Sequence, residues 1–282
     1  MIETVMIRDV QIGGGAAAKI CVPLVSGTAA ELLGEAAVAA AAGADLAEWR
    51  MDFFRRAGDA GAAIETLKAL RAALGPVPLL ATFRTAAEGG CPEGGEAVRD
   101  SGAYARLLAA IAESGAADAV DVELSAGGEA ARRVIGAARG AGAASVASRH
   151  YFGGTPRKSD IVAQFEAMRA MGADIPKVAA MPSCFGDVLE LMSAAYEYTS
   201  RAGRPVIAMS MGQTGCVSRV AGGLFGSAVT FCKAASGASA SAPGQLGVAE
   251  ARAAMALLGG LGGPNALGGP LDGPIAKSAK EP

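Results

Sequence analysis

Apolar and polar positions follow a repeating order along this chain. An apolar or β-branched run is followed by an alanine-rich stretch with helical spacing, and then by a glycine or proline. Eight such units are present. The runs that predict β-strands are 19–25, 45–52, 78–84, 119–124, 145–150, 174–181, 205–211 and 228–231. The stretches that predict helices include 29–42, 64–74, 96–113, 159–171, 185–200 and 248–258.

The number and length of these units predict the fold class. Eight strand–helix units predict an α/β fold, a (β/α)8 TIM barrel of roughly 250 residues. A doubly wound parallel sheet is the alternative architecture. The chain contains neither GxGxxG nor GxxxxGK[ST], the phosphate-binding loops that commonly accompany such a sheet. The barrel is therefore favoured.

Both ends of the chain differ from the repeating units. Residues 2–12 alternate between apolar and polar positions and lead into Gly13, Gly14 and Gly15. With the segment that follows, they predict an N-terminal β-hairpin within residues 1–18. From residue 259 the chain is rich in glycine and proline and poor in large apolar side chains. We expect a single barrel domain over residues 1–262 and a disordered tail over residues 263–282.

Composition limits the classes of function. The chain is 51% hydrophobic with 40 glycines, which suits one sizeable core of small side chains. Its 25 basic and 27 acidic residues give a formal net charge of −2 without any basic run, so we expect no nucleic-acid partner. No apolar stretch at the start is long enough for a signal peptide or membrane span, which predicts a cytoplasmic protein with no membrane contact. One histidine and five scattered cysteines predict reduced thiols and no metal site.

Lys177 lies in the middle of a run that otherwise predicts a buried strand, 174–181. A buried ammonium is costly unless it is paired or loses its proton, and a neutral buried amine is a nucleophile suited to Schiff-base formation. The alternative is a lysine at a strand end, with its stem buried and its ammonium in water.

Alternation along the predicted strands places more charged side chains inside the barrel, near the carboxyl ends of the strands. Such groups are costly in a dry core, so six of them from five strands indicate a site more strongly than a structural ion network. The six are Glu48, Arg50, Arg84, Glu123, His150 and Lys177. Asp121 and Glu123 fit the lower layers as well, where buried polar groups can simply satisfy one another.

Loops at the same end of the barrel contribute further candidates. Glu88 follows the third strand in a Glu-Gly-Gly turn, and Arg219, Ser241 and Gln245 follow the last two strands. The planar guanidinium of Arg219 suits a carboxylate or a phosphate, and both anions remain open at this point. An exposed surface arginine is the alternative interpretation of Arg219.

These strand ends and loops also carry short motifs that occur together in a known family. The motifs are Glu48-Trp49-Arg50 with Asp52, Phe83-Arg84 with Glu88-Gly89-Gly90, Asp121-Val122-Glu123, Ser148-Arg149-His150 with Phe152 and Thr155-Pro156, Asp174-Ile175-Pro176-Lys177, Met209-Ser210-Met211, Ser218-Arg219 with Phe225-Gly226-Ser227, and Ser241-Ala242-Pro243-Gly244-Gln245. Over roughly residues 2–258 the chain resembles the type I 3-dehydroquinate dehydratases, the Schiff-base enzymes of the shikimate pathway.

The resemblance implies a (β/α)8 barrel, usually a homodimer, that converts 3-dehydroquinate to 3-dehydroshikimate without metal or cofactor. It implies that Lys177 forms an imine with the C3 ketone and that His150, with Glu88 beside it, is the general base and acid. The substrate contacts that it implies come from Glu48, Arg50 and Arg84 to hydroxyls, from Arg219 to the carboxylate, and from a closing loop with Ser241 and Gln245. We expect the arginines to help keep Lys177 neutral by like-charge repulsion.

Three features depart from the family pattern. Tyr151 follows the histidine where the family more often has Asp or Asn, the stretch 231–241 is longer than usual, and the glycine-rich tail is additional. Two other functions are weighed against the dehydratase. A class I aldolase also uses a buried barrel lysine but often binds a phosphorylated sugar, and an inactive barrel could bind quinate-like metabolites as a sensor.

Overall fold

The computed structural model describes residues 2–92, 98, 100–234, 241–242 and 244–261. Within this part, the strands are β1 (Thr4–Ile7), β2 (Val10–Gly13), β3 (Lys19–Leu24), β4 (Leu46–Arg50), β5 (Leu79–Thr82), β6 (Ala119–Glu123), β7 (Ala144–Tyr151), β8 (Ile175–Ala180), β9 (Ile207–Ser210) and β10 (Val229–Phe231). The helices are α1 (Ala29–Ala41), α2 (Ala60–Ala73), α3 (Ser101–Glu113), α4 (Gly128–Gly140), α5 (Lys158–Ala170), α6 (Phe185–Ala202), α7 (Cys216–Ala221) and α8 (Val248–Leu261).

Eight parallel strands form a nearly closed barrel in the order β10, β3, β4, β5, β6, β7, β8, β9. The gap between β9 and β10 is closed by the residues that immediately precede these two strands. Val206 pairs with Ser227, and the N–H of Ala228 donates to the Val206 carbonyl at 2.8 Å. The chain is thus a (β/α)8 TIM barrel, as the repeating pattern predicts.

Side chains of opposite strand faces build two apolar layers. The outer faces pack against the helices, where the largest fully buried groups include Trp49, Phe83, Tyr104, Phe165 and Tyr198. The inner faces start with apolar residues at the amino ends of the strands, such as Leu46, Ile175 and Ile207. This alternation leaves the inner faces at the carboxyl ends for polar groups.

The N-terminal hairpin closes the amino end of the barrel. β1 and β2 pair antiparallel, and Ile7 and Ile12 are buried in the interior apolar cluster. The hairpin is confirmed, but its turn lies at Arg8 and Asp9 rather than at the three glycines. Arg8 adopts a left-handed φ of 51°, and its guanidinium donates to the carbonyl of Gly75 at 2.8 Å. A tertiary contact therefore supports a turn that the local sequence does not indicate.

All eight predicted barrel strands are confirmed, with ends shifted by one or two residues. The helix predicted from residue 96 starts at Ser101, because the Asp100 side chain caps it by accepting from the Ala103 N–H at 2.7 Å. α2 begins at Ala60, earlier than predicted, because Asp59 caps it in the same way. Residue 96 and the predicted tail 263–282 lie outside the described residues. No helix in the described ranges is long and apolar enough to cross a membrane.

Candidate active site

A pocket of about 490 Å³, measured to its open mouth, lies at the carboxyl end of the barrel strands. Nine of the ten candidates from the sequence line this pocket. They are Glu48, Arg50, Arg84, Glu88, His150, Lys177, Arg219, Ser241 and Gln245. Ala179, Met209, Met211, Phe152 and Phe231 supply apolar wall. The structure therefore brings nine of the ten predicted site residues to one cavity, whereas Glu123 does not line it and pairs with Arg84 instead.

Lys177 lies on the inner face of β8 and is almost completely buried. Its Nζ donates to Asp121 Oδ2 at 3.0 Å and lies 3.6 Å from Glu48 Oε1. The ring centroid of Phe231 is 4.5 Å from the same nitrogen. The charged groups in contact with Lys177 are thus carboxylates, whereas the expectation from the sequence invoked only the repulsion of arginines.

A compact ion cluster surrounds Arg84 beside the lysine. The guanidinium donates to Asp121 Oδ1 at 3.0 Å and to Glu123 Oε1 at 2.9 Å. Ser148 Oγ accepts a further hydrogen bond from Arg84 at 2.9 Å and donates to Asp121 at 2.7 Å. Asp121 therefore joins Arg84 to Lys177, and the cluster fixes the position of both cations.

Arg50 is held by a second carboxylate, Asp52, at the end of β4. The guanidinium makes a bidentate pair, with Nε 2.8 Å from Oδ1 and Nη2 2.7 Å from Oδ2. The backbone N–H of Cys91 also donates to Asp52 Oδ2, at 2.9 Å. Asp52 is fully buried, so it orients Arg50 and anchors the loop that carries Glu88.

His150 and Glu88 form a hydrogen-bonded pair on the other side of the pocket. His150 Nδ1 lies 2.8 Å from Glu88 Oε2, and the same oxygen accepts the backbone N–H of His150 at 3.0 Å. Ser125 Oγ donates to the other oxygen of Glu88. Burial and then the charge of Glu123 raise the pKa of Glu88 to about 7.

The surroundings of His150 favour a neutral imidazole. Burial lowers the pKa of His150 well below its ordinary value, and the positive charges of Arg84, Lys177 and Arg50 act in the same direction. Near neutral pH the ring is therefore neutral, and one of its two nitrogens carries no proton. A ring in that state can accept a proton, which is the requirement for a general base.

Glycine is required in the turn that presents Glu88. Gly89 has a φ of 80°, and a Cβ built on it would lie 2.2 Å from the ring of Phe152. A Cβ on Gly90 would lie 2.0 Å from the Arg84 carbonyl oxygen. The Glu-Gly-Gly sequence thus lets the turn fold tightly between Arg84 and Phe152, with the Glu88 carboxylate inside.

Arg219 comes from α7, at the opposite wall. Its side chain is almost fully buried, and Nη1 donates to the carbonyl of Phe231 at 3.1 Å. Burial lowers its pKa from the ordinary arginine value. The alternative of an exposed surface arginine is therefore wrong.

Ser241 and Gln245 line the pocket and are hydrogen-bonded to each other. Gln245 Nε2 donates to Ser241 Oγ at 3.0 Å, and Gln245 Oε1 accepts the Ser241 N–H at 3.0 Å. Gly244 packs on the segment after β9, where a Cβ would lie 2.3 Å from the Gly212 carbonyl oxygen. The two side chains thus form part of the pocket wall. Residues 235–240, in the lengthened stretch, and residue 243 lie outside the described residues.

Metal chemistry has little support in the donor set. Among the described residues, no group of three or more His, Cys, Asp or Glu side chains is arranged to hold a metal ion. The acidic side chains around the pocket are instead paired with Arg50, Arg84 and Lys177.

Comparisons with known proteins identify the family of this site. The family model described as type I 3-dehydroquinase matches residues 20–262. The chain belongs to the type I 3-dehydroquinase family. A 3-dehydroquinate dehydratase of Salmonella paratyphi B is 40% identical over 257 residues, which cover 91% of this chain and 98% of that protein.

Two solved structures extend this similarity to three dimensions. The 3-dehydroquinate dehydratase of Geobacillus kaustophilus is 39% identical with a TM-score of 0.85, over 91% of this chain and 96% of that chain. A type I enzyme of Clostridium difficile, solved with covalently modified comenic acid, is 37% identical with a TM-score of 0.85, over 92% of this chain and 98% of that chain. The barrel of this family member is therefore shared with solved 3-dehydroquinate dehydratases.

Two residues of this type I 3-dehydroquinase have a greater part in the site than the sequence analysis assigned. Asp121 was placed in a lower layer of the barrel, yet it contacts Lys177 directly. Asp52 was named only within a motif, yet it fixes Arg50. The period of two gives the face of a residue but not its height relative to the next strand, so the contact between Asp121 and Lys177 could not be read from one strand alone.

Proposed function

We propose that this chain dehydrates 3-dehydroquinate to 3-dehydroshikimate in the shikimate pathway, through a Schiff base on Lys177 with His150 as general acid and base. The observation that carries the proposal is one pocket that holds a buried lysine, a neutral histidine paired with a carboxylate, and three arginines. Family membership supports the reaction, and the geometry of the pocket supports the residue roles that we propose below.

The first step is attack by Lys177 Nζ on the C3 ketone. A lysine ammonium must lose a proton before it can attack, and Asp121 and Glu48 are carboxylates in contact with it. The carbinolamine then loses water to give a protonated imine, whose positive charge lies beside the same two carboxylates. Thr82 fixes Glu48 by donating to its Oε1 at 2.9 Å.

The second step is proton abstraction at C2. The protonated imine withdraws electrons from the C2–H bond, and His150 accepts that proton. The resulting enamine expels the C1 hydroxyl, which leaves as water with the proton that His150 returns. Hydrolysis of the imine consumes one water and releases the product, so that the net change is the loss of one water molecule.

Binding of the remaining groups follows from the charges around the pocket. We assign the substrate carboxylate to Arg219, because its guanidinium lines the pocket and its planar fork suits a carboxylate. We assign the hydroxyls to Glu48, Arg50 and Arg84, which line the same cavity. Ser241 and Gln245 also line it, and we assign them to the loop that covers the substrate.

The class I aldolase alternative is not favoured, because the family model and the similar proteins are dehydratases. We further propose a homodimer located in the cytoplasm. The family resemblance supports the dimer, as do the exposed side chains of Phe185 and Leu189, one turn apart on α6, since large apolar groups in water mark contact surfaces. Light scattering tests the dimer, with an expected mass of twice the chain mass of 27.8 kDa.

The function is tested by following the enone absorbance of the product with 3-dehydroquinate as substrate. Wild-type protein is expected to turn over, and Lys177→Ala is expected to have no measurable turnover because no covalent path remains. Lys158→Ala is the matched control, since the Lys158 side chain is 43% exposed and its ammonium pairs with Glu197 at the surface. Turnover by Lys177→Ala, or none by the wild type, contradicts the proposal.

A further inference from the structure

Arg149 makes an ion pair with the carboxylate that orients the histidine. Its Nη1 donates to Glu88 Oε1 at 3.3 Å, while His150 bonds the other oxygen, Oε2. Two successive residues of β7 thus hold the two oxygens of one carboxylate. Arg149 lies in the motif Ser148-Arg149-His150, but it has no role in the mechanism proposed above.

Tyr151 supports Arg149 from the solvent side. The guanidinium carbon of Arg149 lies 5.6 Å from the centroid of the Tyr151 ring, within the range of a cation–π contact. The Arg149 side chain is 35% exposed, whereas that of Glu88 is 2% exposed. Arg149 therefore contacts a buried carboxylate from the surface, and it can be replaced without leaving a hole in the core.

The other groups that face Glu88 do not duplicate this contact. Arg84 lies 3.9 Å from Glu88 Oε2, and its ion pairs with Asp121 and Glu123 are shorter, at 3.0 and 2.9 Å. Glu123 opposes ionisation of Glu88, whereas Ser125 stabilises the ionised form through a hydrogen bond. Among the ion pairs of Glu88 with arginine, the one to Arg149 is the shorter.

The protonation state of Glu88 decides which nitrogen of His150 can act as a base. An ionised Glu88 accepts the proton on Nδ1, so Nε2 carries no proton and can take one from the substrate. A protonated Glu88 would donate to Nδ1 instead, and the proton of the neutral ring would then reside on Nε2. In that tautomer the ring cannot accept a proton at Nε2.

We propose that Arg149 is a positioning residue for the reaction proposed above, on which this inference rests. By pairing with Glu88 Oε1, it holds Glu88 as a carboxylate and His150 as the tautomer whose Nε2 accepts a proton. The role is exerted through Glu88, since Arg149 is not among the residues that line the pocket.

The expected pH dependence follows from the charges. Burial and Glu123 raise the pKa of Glu88 to about 7, and the hydrogen bond from Ser125 with the charges of Arg84 and Arg149 lower it. Arg149 also acts to lower the pKa of His150. Removing its charge therefore favours proton uptake by the Glu88–His150 pair, whichever member holds the proton. The acidic limb of kcat/KM must then move to higher pH.

The single histidine of the chain allows a direct test. Long-range 1H–15N spectra of untagged, histidine-labelled protein report the tautomer and titration of one imidazole. In Arg149→Gln, the midpoint of the change in the His150 signal is expected to rise by roughly 0.2–0.7 pH unit, the size expected for loss of one partly exposed ion pair. Arg149→Lys keeps the charge and is expected to restore most of the wild-type titration.

Kinetics provide the second readout. At about pH 6.5, kcat/KM of Arg149→Gln is expected to fall roughly 1.5- to 5-fold, and it should converge with the wild type as pH rises, because Glu88 then ionises without help. Arg157→Gln is the matched control, since Arg157 is an exposed arginine after the same strand. It removes the same charge and is expected to leave both profiles unchanged.

Two outcomes overturn the inference. An unshifted His150 titration in Arg149→Gln means that Arg149 does not hold the pair, and an equal loss of activity at every pH means that its role is only structural. Either result leaves the proposed function intact as long as the wild type turns over and Lys177→Ala does not. If the wild type fails to turn over, the proposed function fails, while the spectra still report whether Arg149 affects His150.

Discussion

The two ends of the barrel are built from the same strands but hold opposite kinds of side chain. At the amino end, Ile7 and Ile12 of the hairpin complete a buried apolar cluster. At the carboxyl end, the same inner faces carry cations and carboxylates in contact, such as Lys177 with Asp121 at 3.0 Å. The amino end is a packed plug, whereas the carboxyl end encloses a cavity.

Because of this difference, one strand contributes to stability at its start and to the active site near its end. In β8, Ile175 at the start is fully buried in the apolar cluster, and Lys177 two residues later points into the pocket. Burial of apolar surface favours folding, whereas burial of charged groups is tolerated only because partners satisfy them. Substitutions at the amino end should therefore lower stability, and substitutions at the carboxyl end should lower activity.

The largest effect is expected at the carboxyl end, from His150→Ala. Lys177 can still form an imine, but the base for C2 is lost. General acid–base catalysis is typically worth about 10²–10⁴-fold, and one histidine serves several steps, so turnover should fall by the upper end of that range or more. A covalent complex should accumulate and be seen by intact-protein mass spectrometry without borohydride. Near-normal turnover would mean that His150 is only structural.

Ile12→Ala tests the amino end of the barrel. Ile12 is fully buried, and an isoleucine-to-alanine change in a core typically costs about 2–5 kcal/mol of unfolding free energy. We expect that loss in denaturant unfolding with kcat/KM unchanged under conditions where the protein is folded. Met6→Ala is the control, because Met6 in the same hairpin is 52% exposed. A fall in kcat/KM of folded Ile12→Ala would show that the two ends are linked.

Arg219→Lys tests whether Arg219 binds the substrate carboxylate. Lysine keeps the charge but loses the planar fork, so we expect substrate binding to weaken by about 1–3 kcal/mol, as for a charge-assisted pair. The rise in KM measures this loss. Arg252→Lys, at an exposed ion pair with Asp45, should leave KM unchanged. Wild-type kinetics in Arg219→Lys would show that Arg219 does not bind the substrate carboxylate.

The smallest effect is expected from removing the chain after Gly263, a segment outside the described residues. A stretch rich in glycine and proline has little apolar surface to bury, so melting temperature and turnover should both stay at wild-type values. A clear fall in melting temperature on truncation would show that the segment packs on the domain.

How far the sequence predicts the molecule also differs between the two ends. Alternation alone placed Glu48 and His150 on the inner face, since the side-chain period of a strand does not depend on tertiary structure. It could not place Asp121 against Lys177, because that contact depends on the stagger between β6 and β8. The hairpin turn at Arg8 was missed for a similar reason, since its support comes from the distant Gly75.

The central claim is that Lys177 forms the covalent intermediate, and trapping tests it most directly. Borohydride added with 3-dehydroquinate reduces a hydrolysable imine to a stable amine, which peptide mass spectrometry can locate. The account predicts a single adduct on Lys177, and none without substrate or in Lys177→Ala. An adduct on Lys158 or Lys233 instead, or no adduct during active turnover, would contradict it.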